Sequence, residues 1–197
     1  MAHFNRERLE EIIARTPDPL PVVAIETGTW KGDTTALLAE RFARVFTIDI
    51  DEKWVKAATR RFATVPNVDV VAGDSAKVLP MVLDLKHAPT LLYLDAHWWS
   101  GYGGFADRSP FPLWDEISNV IACPWVRVVV VDDIYQMGKQ NDPNPGWPEA
   151  TPERIIGAMG NRVTEHAVIG DQLVAWWNGV VVNVIYEEAG SEAPNLE

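Results

Sequence analysis

The apolar positions change period along this chain, and the changes mark its elements. Leu9, Ile12 and Ile13 recur at helical spacing among the charges of residues 6–15. Thr16-Pro17-Asp18-Pro19-Leu20-Pro21 ends that helix as a stiff connector. Val22 to Ile25 is a short apolar run bounded by a glycine turn, as strands buried on both faces are. A helix is predicted over 32–43, with Leu37, Leu38 and Phe42 on one side. Strands follow at Arg44–Ile48, Val68–Ala72, Thr90–Leu94 and Val126–Val131. Between them, helices are predicted over Glu52–Thr64, Ser75–Leu85 and Leu113–Ala122, with Pro80 expected to break or bend the second. Repeated units of this kind imply an α/β fold, a mainly parallel sheet with helices on both faces.

The tail reads differently. A helix over Pro152–Met159 leads into Val163–Ile169, Gln172–Trp177 and Val180–Tyr186. Gly170-Asp171 and Asn178-Gly179 join these runs as hairpin turns, so the far edge of the sheet should be antiparallel. Residues 188–197 are acidic and polar and read as a frayed tail.

Composition narrows the class. With 47% hydrophobic and 23% charged residues, 197 residues make one soluble globular domain over 1–197, residues 1–20 being its first helix and connector. The formal net charge of −11 argues against a nucleic-acid partner held by a basic face, leaving room only for a small local basic site. A lone cysteine, Cys123, excludes an internal disulfide and a Cys-rich zinc site, and reads as a buried small hydrophobe. The first residues lack the apolar core of a signal peptide, and no apolar run is long enough for a membrane span. The expectation is a cytoplasmic protein with no membrane partner.

Candidate chemistry gathers at the end of the first strand. Glu26-Thr27-Gly28-Thr29-Trp30-Lys31-Gly32-Asp33 places glycines where a backbone turns sharply and a ligand comes close. Asp49 lies 21 residues after Gly28, the distance at which an acidic side chain holds a ribose hydroxyl pair. The pattern is Glu-x-Gly-x-x-x-Gly rather than Gly-x-Gly-x-x-Gly. A carboxylate entering the turn would repel a pyrophosphate but suit a sulfonium and an ammonium, so a cationic nucleoside is favoured over a nicotinamide dinucleotide.

These residues resemble those of the class I S-adenosylmethionine-dependent methyltransferases. Glu26 to Gly32 looks like their first motif, Asp49 like the ribose-binding acid, Gly73-Asp74-Ser75 like the adenine-lining segment, and Leu94-Asp95 like the fourth motif. The matches are collinear over roughly residues 20–185. The resemblance implies a Rossmann-like, seven-stranded sheet with an antiparallel C-terminal hairpin. It implies S-adenosylmethionine as cofactor, held by Glu26, Gly28, Thr29, Gly32, Asp33, Asp49 and Asp95, with Asp74 and Ser75 beside the adenine.

A narrower resemblance is to the catechol-type and sugar-modifying O-methyltransferases. It rests on Leu92-Tyr93-Leu94-Asp95-Ala96-His97-Trp98 and Val130-Val131-Asp132-Asp133. It implies Mg²⁺ held by Asp95, Asp132 and Asp133, although the catechol type often has Asn where Asp133 stands. Asp95 and His97 become the catalytic pair, with His97 as base. Trp98, Trp99 and Trp147, in aromatic loops leaving the carboxyl edge, are expected to wall the pocket of a small acceptor. The same loops could instead make a subunit contact in a homo-oligomer. Two alternatives stay open: metal-independent O- or N-methyl transfer with His97 alone as base, and a non-catalytic S-adenosylmethionine-binding protein.

Overall fold

Side chains along the central strands alternate between two buried layers, and this alternation organises the molecule. A computed structural model describes residues 4–85, 87–97, 111–139 and 147–177. Its elements are α1 (Arg6–Ala14), β1 (Val23–Thr27), α2 (Asp33–Arg41), β2 (Arg44–Asp49), α3 (Glu52–Arg61), β3 (Val68–Ala72) and α4 (Ser75–Leu85). Then come β4 (Thr90–Leu94), α5 (Leu113–Ile121), β5 (Val126–Val131), α6 (Pro152–Met159), β6 (Val163–Ile169) and β7 (Gln172–Trp177). The strands form one sheet in the order β3-β2-β1-β4-β5-β7-β6. β1 to β5 pair in parallel, and β7 runs antiparallel between β5 and β6. The α/β sheet with its antiparallel edge is therefore as the hydrophobic pattern foretold. Gly170, at φ 64°, makes the turn from β6 to β7. The proposed turn at Asn178-Gly179, the run Val180–Tyr186 and the tail 188–197 lie outside the described residues.

Ala24, Leu91, Tyr93, Val128, Val130, Val174 and Trp176 face one layer, where Leu9, Ile12 and Ile13 of α1 and Leu38 of α2 cover them. Ile25, Leu92, Leu94, Val129, Val131, Ala175 and Trp177 face the other, against α4, α5 and α6. α3 lies beside α2, joined by the Asp33–Arg61 ion pair of 2.7 Å. Full burial on both faces fixes the register, because a slip of one residue would exchange the two layers. Register is what places the strand ends, and with them the site.

The expectation for Pro80 needs correction. α4 runs unbroken from Ser75 to Leu85 with Pro80 inside it. Proline cannot donate to the carbonyl four residues earlier, which is that of Ala76. The Asn119 side chain on α5 donates to that carbonyl at 2.8 Å, so the helix keeps its partner from outside. β1 also extends further than the apolar run suggested, carrying Glu26 and Thr27 inside the strand.

Candidate active site

Backbone hydrogen bonds continue past the carboxyl ends of the strands and line the candidate residues up in one row. Gly73 N–H donates to Asp49 O (2.9 Å), Gly28 N–H to Ile48 O (2.8 Å), Asp95 N–H to Thr27 O (3.0 Å) and Asp132 N–H to Leu94 O (3.1 Å). Asp49, Gly28, Asp95 and Asp132 thus stand side by side along β2, β1, β4 and β5. This is the edge where open α/β sheets bind ligands.

Gly28 has φ 84°, and a Cβ there would lie 2.2 Å from the carbonyl oxygen of Asp95. Only glycine fits so close a passage of two strand ends. Asp49 is fixed by backbone donors: Trp30 N–H reaches Oδ2 at 2.9 Å and Asp51 N–H reaches Oδ1 at 2.8 Å. Burial nevertheless raises its pKa, which those two donors partly offset. The glycine passage and the oriented carboxylate are what a ribose-bearing cofactor needs, so the residues present fit S-adenosylmethionine.

Glu26 is placed differently from the sequence expectation. It is buried, and its Oε2 accepts from the Thr47 hydroxyl at 2.6 Å and from Thr35. Thr29, also buried, bonds Thr47 at 2.6 Å, so these four residues form one hydroxyl–carboxyl network behind the turn. Burial pushes the Glu26 pKa up to about 7 despite the two threonine donors. The fold therefore holds a proton that the unfolded chain gives up from about pH 4.5. Stability from this group is full below that pH, falls between about 4.5 and 7, and is lost above, a change on the order of 3 kcal/mol. Glu26→Gln should remove that component. Denaturant unfolding at pH 5 and pH 8 checks it, and an identical pH slope in both proteins would refute the assignment.

Three residues named from the sequence are engaged locally. Asp33 pairs with Arg61. Asp74 accepts from Ala76 N–H at 3.2 Å and pairs with Lys77 at 3.0 Å, at the start of α4. Ser75 is buried beside Glu116. Gly32, with φ 79°, abuts the Phe62 ring, which a Cβ would meet at 2.8 Å.

Beyond Asp95 the structure brings together a different set from the expected three carboxylates. His97 Nε2 lies 3.6 Å from Asp95 Oδ1 and 3.6 Å from Asp133 Oδ2. The imidazole packs edge-on to Trp147, with ring centroids 5.1 Å apart, and against Phe111 at 5.9 Å. Trp147 is wholly buried, so it walls the histidine from within the core rather than from solvent. Trp98 and Trp99 lie outside the described residues. Asp132 turns to a separate network: it accepts from the Tyr93 hydroxyl, from Gln172 Nε2 at 2.6 Å and from Asp133 N–H at 2.8 Å. Gln172 in turn accepts from Arg8 of α1 at 3.0 Å. Burial, then the charges of Asp132 and Asp133, hold the Asp95 pKa well above the usual carboxylate range. A third of that side chain still reaches solvent, so the neighbouring carboxylates add to burial in raising it.

Glu116, Gln172 and Tyr93 went unnoticed in the sequence. Glu116 sits in the first turn of α5, buried, its Oε1 without a hydrogen-bond partner among the described residues and its pKa raised by burial. A glutamate between Leu113 and Ile117 on an apolar helix face was the available signal.

No family model matches the sequence. Among curated proteins, a trans-aconitate 2-methyltransferase of Acidovorax ebreus (strain TPSY) is 32% identical over 110 residues, 53% of this chain and 40% of that protein. An rRNA adenine N-6-methyltransferase of Bacillus licheniformis is 28% identical over 74 residues, 38% of this chain and 26% of that protein. The chain thus matches well under half the length of either. Among solved structures, a Streptococcus mutans protein described as a methyltransferase, in complex with S-adenosylhomocysteine, superposes with a TM-score of 0.58 at 10% identity, covering 88% of this chain and 97% of that one. The fold is that of the class I methyltransferases. An O-methyltransferase from Bacillus cereus, also bound to S-adenosylhomocysteine, shares this methyltransferase fold with a TM-score of 0.54 at 20% identity, covering 87% and 90%. Among the described residues, no helix is long and apolar enough to cross a membrane.

Proposed function

We propose that the chain is an S-adenosylmethionine-dependent methyltransferase acting on a hydroxyl of a small organic or sugar-like acceptor. The observation that carries this reading is the row of Asp49, Gly28 and Asp95 at the carboxyl edge, with the His97 imidazole buried beside it. Asp49 accepts the ribose hydroxyls, and the missing side chain at Gly28 leaves room for the cofactor to cross the strand ends. When bound, the cofactor supplies an electrophilic methyl: the acceptor oxygen forms the C–O bond as the C–S bond breaks, the electron pair leaving with sulfur. Alignment of the two groups and removal of the acceptor proton are left to the protein. The Asp95–His97–Asp133 cluster, beside those strand ends, is the candidate to take that proton. His97 as base without a metal remains the second reading, because its imidazole faces two carboxylates.

The acidic surface favours a small acceptor over a phosphate backbone. Calorimetric titration with S-adenosylhomocysteine, with NAD as control, tests the cofactor half; micromolar binding of the first alone is expected. Labelled methyl transfer onto catechols, sugars, trans-aconitate and structured RNA tests the rest. Transfer confined to the RNA would overturn the acceptor class. Full cofactor affinity with no turnover on any acceptor would point to a non-catalytic binding protein. A folded chain that ignores S-adenosylhomocysteine would sink the whole reading.

A further inference from the structure

We infer that Asp95, His97 and Asp133 form a divalent-cation site of one imidazole nitrogen and two carboxylate oxygens, suited to Mn²⁺, Co²⁺ or Zn²⁺ rather than Mg²⁺. Binding stands on these three residues alone; what the ion would do for an acceptor hydroxyl rests on the methyltransferase reading above.

The carboxylates alone would be weak grounds, since acidic clusters are common. The deciding observation is His97. Its side chain is only 2% exposed, and Nε2 has no hydrogen-bond partner among the described residues. An unpartnered buried ring nitrogen is costly, and most buried polar atoms are satisfied. Nε2 points between two carboxylate oxygens, each at 3.6 Å. That is beyond hydrogen-bond length. It matches the spacing of donors that share one ion: metal–ligand bonds of about 2.0–2.2 Å place neighbouring donors roughly 2.8–3.6 Å apart. All three donor atoms lie within 4.8 Å of one another, so small rotations of the carboxylates close the set.

Chemistry of the donors selects the ion. Mg²⁺ takes oxygen ligands and keeps its waters, whereas imidazole suits borderline transition ions. The third carboxylate that an all-oxygen site would need, Asp132, is turned to Tyr93 and Gln172. Two carboxylates neutralise a divalent ion beside a neutral imidazole, and three protein donors leave positions for water or an acceptor oxygen. Phe111 and Trp147 fix the ring plane against apolar walls. With His97 as a ligand, the base of the metal-free reading is not available.

The test uses the full chain after chelator treatment, titrated by calorimetry with Co²⁺, Mn²⁺ and Mg²⁺ in turn. Co²⁺ and Mn²⁺ should bind at one site per chain, roughly 100-fold or more tighter than Mg²⁺. Pulsed electron paramagnetic resonance of bound Mn²⁺ should show coupling to one histidine nitrogen, a readout that needs no variant and no turnover. His97→Ala should lose the coupling and weaken Co²⁺ at least about 100-fold, and His87→Ala should keep both. Equal affinity for Mg²⁺, an oxygen-only spectrum, coupling lost in His87→Ala, or no binding by the folded protein would each overturn the inference. S-adenosylhomocysteine titration of the same sample is a separate arm. Metal binding without cofactor binding defeats the methyltransferase reading and leaves the site standing.

Discussion

Asp95→Ala is expected to abolish methyl transfer, lowering kcat/KM by at least about a thousand-fold, while S-adenosylhomocysteine affinity stays within a few-fold. The separation follows from which atoms of Asp95 do what. Its backbone N–H holds Thr27 and its carbonyl lies against Gly28; both remain in the alanine variant. Only the carboxylate facing His97 is lost. Removing one member of a crowded acidic group should leave thermal stability unchanged or raised, so an inactive sample can be shown to be folded. Steady-state kinetics and calorimetry on one preparation decide the matter. A matching collapse of cofactor affinity would move Asp95 from the chemistry to the cofactor cradle.

Gly28→Ala should act the other way, through the backbone. The new Cβ would stand 2.2 Å from the Asp95 carbonyl oxygen and 2.6 Å from its carbon, and neither can rotate aside. The residue must also keep a φ of 84°. A loss of roughly 2–4 kcal/mol of stability is expected, together with at least a hundred-fold loss of S-adenosylhomocysteine affinity as β1 and β4 part. Gly160→Ala is the internal control. It shares a positive φ of 69° but has nothing within 4 Å of the added carbon, so only backbone strain, about 1–3 kcal/mol, and no loss of S-adenosylhomocysteine affinity are expected there. Urea unfolding and calorimetry together distinguish the two. Equal losses would mean that backbone conformation, and not the close passage, is what glycine provides at position 28.

Much of the architecture was legible because the chemistry there is local. Apolar runs bounded by turn residues located the strands, and a Gly-Asp pair between two such runs located the β6–β7 turn. Partners from distant elements were not legible. Glu26 looked like the start of a loop because it is polar, yet the Thr35 and Thr47 hydroxyls donate to it behind the turn. Pro80 looked like a helix breaker because Asn119, which takes the freed carbonyl, belongs to another helix. At the site, Asp95 and His97 stand two residues apart, and their side chains approach to 3.6 Å. The pair Asp132-Asp133 gave no hint of which carboxylate would turn inward. Tyr93 and Gln172, which engage Asp132, come from two other strands, and Asp133 is reached through a backbone φ of 57°.

The hydrogen bonds from α1 to β7 and on to Asp132 have a consequence for how the protein is made. Arg8 and Gln172 meet across 164 positions, and Gln172 then meets Asp132 across 40. Every residue of the candidate cluster has been synthesised once Asp133 is added, but Gln172, the centre of the brace that orients Asp132, has not. Contacts of such long sequence separation form late, after the loop-closure entropy has been met. An unfinished chain therefore carries the ligands without the scaffold, and competence arises only as the antiparallel strand closes the sheet.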